Sequence, residues 1–296
     1  MSTPRREDPV HAANREIRFH PADPHAANTL SQAQIQAYNQ NGFISPIQIF
    51  DAAKAGEIRA YIDALLESVM AADDQRNNYS INAYHQVCAG LWDLVTDPFI
   101  IRLIRDILGE QIVCWGSHLF AKLPNDKKVV PFHQDAVYWP LTPTKTVTLW
   151  LAIDDADADN AAMQFVPGSH LNGAIEHAKK GLDGTRVLGT EVVGLEAYPA
   201  RYLNALKAGE ASLHSDLLLH GSDANTSARR RAGLTMRYAA ADVRLIDGYD
   251  HWRKSGVHVA AGDPENFWYN RPRPDGEYPQ RMAKFWGEFD GQPMTS

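Results

Sequence analysis

Two potential metal ligands stand two residues apart in the segment His133-Gln134-Asp135. Side chains at positions i and i+2 of an extended strand point to the same face, so His133 and Asp135 could share one cation. A third ligand must come from elsewhere in the chain. His220 is the natural candidate, because it ends the apolar run 217–219, which we expect to be a buried strand that emerges at the site.

Two imidazoles and one carboxylate on one face form the facial triad that is typical of non-haem iron(II) oxygenases. This triad leaves three coordination positions open for a bidentate cosubstrate and O₂. An isolated His-x-Asp segment is more often a surface pair or a salt-bridged pair, so the spacing alone does not establish a metal site. Two alternatives therefore stay open: a zinc-dependent hydrolase that uses the same triad, and a non-catalytic cupin-like binding protein.

Three consecutive arginines, Arg229, Arg230 and Arg231, follow His220 by nine to eleven residues. A buried guanidinium binds a carboxylate through two parallel hydrogen bonds, which a lysine does less specifically. One of these arginines could therefore anchor a dicarboxylate such as 2-oxoglutarate. At most one or two of the three can point inward from a strand, and a solvated turn is the alternative for the run as a whole.

The elements that must position these residues fall into two groups, and the first is helical. We predict three helices in the N-terminal part. The first begins at the capping-box pair Ser31 and Gln34 and ends at Gly42, the second follows Asp51, and the third covers 98–108.

From residue 111 onward, short runs of β-forming residues alternate with clusters of Pro, Gly, Asn and Asp. The clearest runs are 111–123, 147–153, 163–166, 209–214 and 233–239. Helices followed by many short strands predict a mainly β fold with N-terminal and flanking helices, either an antiparallel barrel or a double-sheet jelly roll. Of the two, we expect the jelly roll, a cupin-like double-stranded β-helix. We expect residues 1–28 to form a loosely ordered N-terminal arm, and residues 29–296 to form a single catalytic jelly-roll domain with a helical buttress.

The composition excludes several classes of function. The chain has 296 residues, of which 22% are charged. Its formal net charge of −7 is unfavourable for binding a phosphate backbone. No apolar run is long enough for a membrane span, the polar N-terminal segment predicts no signal peptide, and the two cysteines exclude a disulfide scaffold. We therefore expect a cytoplasmic protein whose partner is a small-molecule substrate, with no nucleic acid and no membrane, and the oligomeric state stays open.

Four sequence blocks resemble the phytanoyl-CoA dioxygenase (PhyH) superfamily in their order and spacing. They are 133–140, 150–154, 165–170 and 220–222 with Arg231, and the resemblance covers about residues 30 to 245. It implies iron(II) ligands at His133, Asp135 and His220. It also implies that Arg231 pairs with the distal carboxylate of 2-oxoglutarate, with Ser222 as a hydroxyl partner and Trp150 packed beside it. Arg237 is the alternative anchor.

The chain departs from the family pattern at 160–162, where Asn-Ala-Ala replaces the usual Asn-Gly and should weaken a turn. Segments 114–118 and 213–215 are similar to the branch that contains amino-acid halogenases. Those enzymes replace the carboxylate ligand with a small residue so that chloride can bind iron. Since Asp135 occupies that position here, the resemblance implies hydroxylation.

The resemblance thus implies an iron(II)-dependent dioxygenase that consumes 2-oxoglutarate and O₂ and releases succinate and CO₂. Its target would be an unactivated C–H bond of a small polar or zwitterionic substrate: an amino acid, a 2-aminoethylphosphonate-like compound or a specialised metabolite. Tyr138 and Trp139 follow the ligand-bearing segment and could contact this substrate, although core packing explains them equally well. Further candidates are Lys122 and, in the polar segment 77–85, Tyr84 and His85.

Overall fold

The computed structural model describes residues 15–71, 80–181 and 184–282. Its α-helices are α1 (Gln32–Asn41), α2 (Ala52–Ala71), α3 (Ala89–Val95) and α4 (Pro98–Leu108). The capping box of Ser31 and Gln34 is formed at the start of α1, and Gly42 ends that helix with a φ of 87°. The three predicted helices are confirmed, whereas the short α3 was not predicted.

Fifteen strands are present in the described part of the chain. They are β1 (Phe43–Gln48), β2 (Ser80–Asn82), β3 (Ile112–Lys122), β4 (Val130–His133), β5 (Leu141–Thr142), β6 (Thr146–Ala152), β7 (Gln164–Phe165), β8 (His177–Lys179), β9 (Thr190–Val192), β10 (Tyr202–Leu203), β11 (Glu210–Ser215), β12 (His220–Ser222), β13 (Arg231–Ala240), β14 (Arg244–Leu245) and β15 (Val257–Ala260). The main sheet has the order β1-β11-β6-β13-β3-β15, with β2 also paired to β3, and a second sheet has the order β10-β7-β12-β4. Both sheets are antiparallel, so the predicted jelly roll is confirmed.

The two faces of the main sheet have different environments. On β13, Leu234, Met236 and Tyr238 belong to the same buried apolar cluster as Ile62 of α2 and Ile100 of α4. Because side chains alternate along a strand, residues 231, 233, 235 and 237 point the other way, into the space between the sheets. The helices therefore cover one face of the main sheet, and the other face is the inner wall of the jelly roll.

The apolar run 217–219 is fully buried, but it is not the strand that we expected. β11 ends at Ser215 in the main sheet, and β12 begins at His220 in the second sheet, so the run is a turn that carries the chain between the sheets. Within this turn Leu218 N–H donates to the Ser215 carbonyl at 3.0 Å. Burial without a period of two or 3.6 could not distinguish a buried strand from a buried turn.

The expected N-terminal arm is only partly within the described residues, since 1–14 lie outside them. Residues 15–28 have no helix or strand, but they are attached to the jelly roll by long-range hydrogen bonds. Arg15 donates to the carbonyls of Leu141 and Ala136, and Arg18 N–H donates to Thr144 Oγ1 at 3.1 Å. No helix in the described ranges is both long and apolar enough to cross a membrane.

Candidate active site

His133, Asp135 and His220 meet at one end of the second sheet. His133 on β4 lies directly opposite His220 on β12, and the centroids of their rings are 4.2 Å apart. Asp135 follows β4 at the start of a 3₁₀ turn, where its Oδ1 is 3.5 Å from His133 Nε2 and 3.9 Å from His220 Nε2. All three side chains are buried, and one ligand atom from each lies within 4.8 Å of the other two.

Hydrogen bonds to main-chain carbonyls orient both imidazoles. His133 Nδ1 is 2.8 Å from the Pro131 carbonyl, and His220 Nδ1 is 2.9 Å from the Leu218 carbonyl. A carbonyl oxygen only accepts, so Nδ1 carries the proton in each ring and the Nε2 lone pair faces Asp135. This is the tautomer that a metal ligand requires.

The residue between His133 and Asp135 holds the segment in place from the opposite side. The Gln134 side chain is fully buried and donates to the carbonyls of Gly173 and Leu217, at 2.8 and 2.7 Å. Its oxygen accepts from Ile175 N–H at 2.8 Å. The backbone that carries His133 and Asp135 is therefore fixed by three hydrogen bonds of the intervening side chain.

The electrostatics of the cluster match the charge states that a divalent metal needs. Burial by itself would raise the pKa of Asp135, but the neighbouring imidazoles of His133 and His220 and the guanidinium of Arg237 hold this pKa well below its usual range. Burial, together with the neighbouring His133, lowers the pKa of His220 to about 4. At neutral pH Asp135 is ionised and His220 is neutral, so the donor set fits iron(II).

The inner wall opposite the triad can be described from the register of the main sheet, since directly paired residues share a face. Four rows cross its strands: Lys122 and Arg231; then Phe120, Gly233 and Ala152; then His118, Thr235, Trp150 and Ser212; then Gly116, Arg237, Thr148 and His214. The first and last rows each contain an arginine.

Only one of the three consecutive arginines faces the interior. Arg229 donates to Asp157 at the surface, and Arg230 donates to the buried Asp154. Arg231 is 3% exposed, and its Nε has no hydrogen-bond partner within the described ranges. Burial lowers its pKa to about 10, so the guanidinium remains charged at neutral pH. An inward-facing, unpaired cation is thus available at this end of the wall.

Trp150 lies beside this guanidinium, whose central carbon is 5.7 Å from the indole ring. The indole occupies the space next to Gly233, where a Cβ atom would stand 2.1 Å from Trp150 Cζ2. A side chain at position 233 would therefore displace the ring. The glycine is therefore the reason that the Trp150 indole can pack this closely against β13.

Lys122 and Ser222 meet at the same end of the wall, but the lysine is engaged by the backbone. Its Nζ donates to the carbonyls of Lys128 at 3.0 Å, Ser222 at 3.4 Å and Asp223. Lys122 is fully buried, and burial together with the charge of Arg231 lowers its pKa to about 7. The ammonium group therefore joins β3 to β12, and the structure does not present it to a substrate as a free cation.

The aromatic candidates for substrate contact separate into two groups. Tyr138 lies near the triad, with its ring centroid 5.8 Å from that of His133, and its hydroxyl is hydrogen-bonded to Thr190. Trp139 is buried and packs edge-on against Trp115, with a centroid distance of 4.7 Å. Both lie on the side of the main sheet that faces the triad.

Tyr84 and His85 lie on the other side of that sheet, contrary to the expectation that they line the pocket. Tyr84 belongs to the apolar cluster beneath the helices. His85 is fully buried, and its Nδ1 is 2.7 Å from Ser117 Oγ, on a residue that pairs with the core-facing Met236. Residues 77–79 of the same segment are outside the described residues. Local polarity could not reveal on which face of a sheet the segment would pack.

Residues near the triad that sequence reasoning did not select include His214, whose ring centroid is 5.1 Å from that of His220. His118 faces the same interior from β3. Burial lowers the pKa of each to about 3, so both are neutral at pH 7. Alternation along the predicted strands 111–123 and 209–214 could have assigned them to the inner wall once the inward face was known.

The fold has two antiparallel sheets, with a buried triad of two histidines and one aspartate at the end of one sheet. An unpaired arginine lies on the facing wall. This arrangement is that of the non-haem iron(II), 2-oxoglutarate-dependent oxygenases. A family model described as phytanoyl-CoA dioxygenase (PhyH) matches residues 38–233, and the chain belongs to this family.

Curated relatives differ in what they act on. The chain is 26% identical over 162 residues to the human peroxisomal phytanoyl-CoA dioxygenase, which aligns with 53% of this chain and 48% of that one. The alignment thus spans about half the length of that relative. A probable alpha-ketoglutarate-dependent hypophosphite dioxygenase of Stutzerimonas stutzeri is 31% identical over 166 residues, 51% of this chain and 53% of its own. A methylphosphonate hydroxylase of Gimesia maris is 24% identical over 284 residues, 90% of this chain and 97% of its own.

Solved structures support the fold. The apo form of the non-haem monooxygenase ThoJ superposes with a TM-score of 0.71 at 22% identity and covers 86% of this chain and 94% of its own. EctD from S. alaskensis, with 2-oxoglutarate and 5-hydroxyectoine, gives a TM-score of 0.65 at 19% identity and covers 80% of this chain and 87% of its own. At these identities the likeness establishes the jelly roll and not the substrate.

Proposed function

We propose that this chain is an iron(II)- and 2-oxoglutarate-dependent dioxygenase that hydroxylates a C–H bond of a small polar or zwitterionic substrate. An amino acid, a 2-aminoethylphosphonate-like compound and a specialised metabolite are the candidate classes. The observation that carries the proposal is the buried cluster of His133, Asp135 and His220, with both imidazole Nε2 atoms directed at the carboxylate.

The triad residues would hold iron(II), and the bound metal would couple the oxidative decarboxylation of 2-oxoglutarate to oxidation of the substrate. Arg231 would bind the distal carboxylate of 2-oxoglutarate, because its guanidinium is buried, charged and unpaired in the part of the chain that the structure describes. Trp150 would fix the orientation of Arg231, and Ser222 on β12 would offer a hydroxyl. Tyr138, beside His133, would help to keep water from the reacting centre.

Asp135 supports hydroxylation as the outcome. Its carboxylate lies between the two histidines at the position that a halide would need in a halogenase, and it is ionised at neutral pH. A carboxylate in the triad leaves no coordination site of this kind for chloride. Asp135→Gly should therefore abolish hydroxylation, and chloride binding without halogen transfer is compatible with this proposal.

The two alternative functions are less well supported by the same geometry. A zinc-dependent hydrolase could use the triad, but it has no use for a buried unpaired cation at Arg231. A non-catalytic binding protein has no need of both the metal triad and the carboxylate anchor, and a buried unpaired charge is costly to keep.

The test is a mass-spectrometric screen of amino acids, aminophosphonates and betaines with the protein, iron(II), 2-oxoglutarate and O₂. We expect one substrate to gain one oxygen atom while an equal amount of succinate forms, and His133→Ala and His220→Ala to remove both products. Turnover that proceeds without O₂ or 2-oxoglutarate would indicate a hydrolase. A chlorinated product from the unaltered protein would contradict the role given to Asp135.

A further inference from the structure

A second arginine faces the interior of the jelly roll, in the row that contains Gly116, Arg237, Thr148 and His214. Arg237 is partly buried, and its Nε is inaccessible and has no hydrogen-bond partner among the described residues. No carboxylate of those residues lies within ion-pair distance of the guanidinium. Buried cations are normally paired, but the charge of Asp135 acts on Arg237 only from beyond ion-pair distance, so the guanidinium lacks a direct partner in the described ranges.

Neighbouring side chains in the same place are also unsatisfied. The buried Thr148 Oγ1, His214 Nδ1 and Trp115 Nε1 atoms have no partner in the described ranges. Thr148 and His214 stand in the row of Arg237 on the next two strands, β6 and β11. Native proteins leave few buried polar atoms unpaired, so four of them around one end of the inner wall indicate a place for a polar ligand.

The backbone is shaped to form this cluster. Arg237 pairs with Gly116 and Tyr238 pairs with Cys114, so Trp115 is the extra residue of a β-bulge in β3. A bulge turns a side chain away from the regular alternation. Here the indole of Trp115 lies 5.7 Å from the central guanidinium carbon of Arg237, and that of Trp139 lies 5.0 Å from it. Two aromatic rings therefore hold the cation in position without neutralising it.

The site of Arg237 is distinct from the site proposed for 2-oxoglutarate. Arg231 and Arg237 are six residues apart on one strand, which is about 20 Å at the rise of a β-strand. Their aromatic neighbours also differ, because Arg231 lies near Trp150 and Phe120. The two guanidinium groups therefore lie in different surroundings, at opposite ends of the inner wall.

This second site is also adjacent to the metal ligands. The ring of His214, in the same row as Arg237, lies 5.1 Å from the ring of His220. A molecule anchored at Arg237 would extend toward the triad over a short distance. The reacting carbon would therefore be close to the anchored acidic group, as it is in a small acid.

On the basis of the function proposed above, we propose that Arg237, Thr148 and Trp115 bind the acidic group of the primary substrate, and that this substrate is a small carboxylate or phosphonate. The guanidinium and the indole N–H donate to its oxygens, and the Thr148 hydroxyl can donate or accept. His214, in the same row as Arg237, lies beside His220 of the triad.

Anaerobic calorimetric titration of the protein loaded with iron(II) and 2-oxoglutarate tests this site without turnover. The probes are methylphosphonate, propionate and the neutral propionamide. We expect at least one anion to bind and the amide to bind much more weakly. Arg237→Gln should weaken anion binding by about 30-fold or more and leave the affinity for 2-oxoglutarate unchanged. Arg231→Gln is the matched control, and it should weaken 2-oxoglutarate binding instead.

Stability measurements distinguish a binding role from a structural one. Removing an unpaired buried cation should not lower the urea midpoint of unfolding, so Arg237→Gln should be at least as stable as the wild type. Arg237→Lys keeps the charge but loses the fork of donors, so it should bind the anion with intermediate affinity. If both variants fail to fold, Arg237 belongs to the scaffold and the proposal is overturned.

Three further results would overturn the proposal while leaving the proposed function intact. The first is that the wild type binds 2-oxoglutarate but none of the anions, and the second is that Arg237→Gln binds the anions with wild-type affinity. The third is that Arg237→Gln loses affinity for 2-oxoglutarate as Arg231→Gln does. By contrast, a wild-type protein that binds no 2-oxoglutarate with iron(II) and forms no succinate would refute the proposed function itself.

Discussion

Gly233→Ala is expected to disturb both the fold and the site, because the indole of Trp150 occupies the position of the missing side chain. A Cβ atom at 233 would stand 2.1 Å from Trp150 Cζ2 and 2.3 Å from Cε2. The ring must move by more than about 1 Å to reach an ordinary van der Waals separation. Both neighbours belong to the buried wall, so neither can move freely.

Overpacking of this kind costs about 1–3 kcal/mol of the free energy of unfolding. Trp150 also lies 5.7 Å from the guanidinium carbon of Arg231, so a displaced ring changes the surroundings of the proposed carboxylate anchor. Misplacement of a binding group by about 1 Å can cost up to roughly 100-fold in turnover. We therefore expect a lower urea midpoint with an unchanged slope, together with weaker 2-oxoglutarate binding.

Gly56→Ala is the matched control for urea unfolding. Gly56 lies within α2, and a Cβ atom there would have no heavy atom within 4 Å. The same substitution should stabilise the protein at this position by roughly 0.5–1 kcal/mol, because alanine loses less backbone entropy in a helix. The two variants should thus shift the urea midpoint in opposite directions.

A double-mutant cycle with Trp150→Leu identifies the cause. Leucine lacks the ring atoms that meet the new Cβ, so the cost of Gly233→Ala should be much smaller in the Trp150→Leu background. The reasoning is refuted if Gly233→Ala unfolds at the wild-type urea concentration. It is also refuted if the full cost persists when the indole is absent.

Three other predictions follow from named contacts. Arg231→Ala should raise the 2-oxoglutarate concentration for half-saturation by about 30-fold or more without changing iron(II) affinity, whereas the exposed Arg229→Ala should have little effect; equal effects would contradict the assignment. Ala161 has a φ of 63°, so Ala161→Gly should stabilise the chain by about 1 kcal/mol in urea unfolding, and a loss of stability would contradict this. Burial lowers the pKa of His85 to about 4, below the ~6.5 of an unfolded chain, so the unfolded state gains the proton first. Stability should therefore fall as the pH decreases from ~6.5 toward ~4, by up to ~1.4 kcal/mol per pH unit, and His85→Gln should show a shallower dependence in urea unfolding at each pH.

The Ala161 position also shows how a family departure is accommodated. The replacement of glycine by alanine predicted a weakened turn, and the turn is nevertheless formed. Asn160 accepts from Asp157 N–H at 2.8 Å and donates to the Asp155 carbonyl at 2.7 Å. These hydrogen bonds hold the turn while Ala161 adopts a left-handed conformation that favours glycine.

The sequence by itself determined the features that depend on local chemistry. The capping box at Ser31, the helix stop at Gly42 and the helix over 98–108 are set by neighbouring residues, and the structure has all three. The spacing of His133 and Asp135 likewise predicted two ligands of one cation, and the structure brings both side chains into one cluster, although Asp135 begins a 3₁₀ turn after the strand. The third residue of this cluster, His220, was predicted from the apolar run before it and from the order of the family blocks.

Only the tertiary structure decided which residues face the triad. Arg229 donates to an aspartate at the surface, and Arg230 donates to a buried aspartate. Arg231 faces the interior, although the three residues are identical in type. His85 lies on the face of the main sheet that the helices cover, and Arg237 lies on the inner wall of the jelly roll. The physical reason is that the face of a side chain depends on strand register and bulges, which are set by pairing between segments about a hundred residues apart. No local pattern in the sequence contains that information.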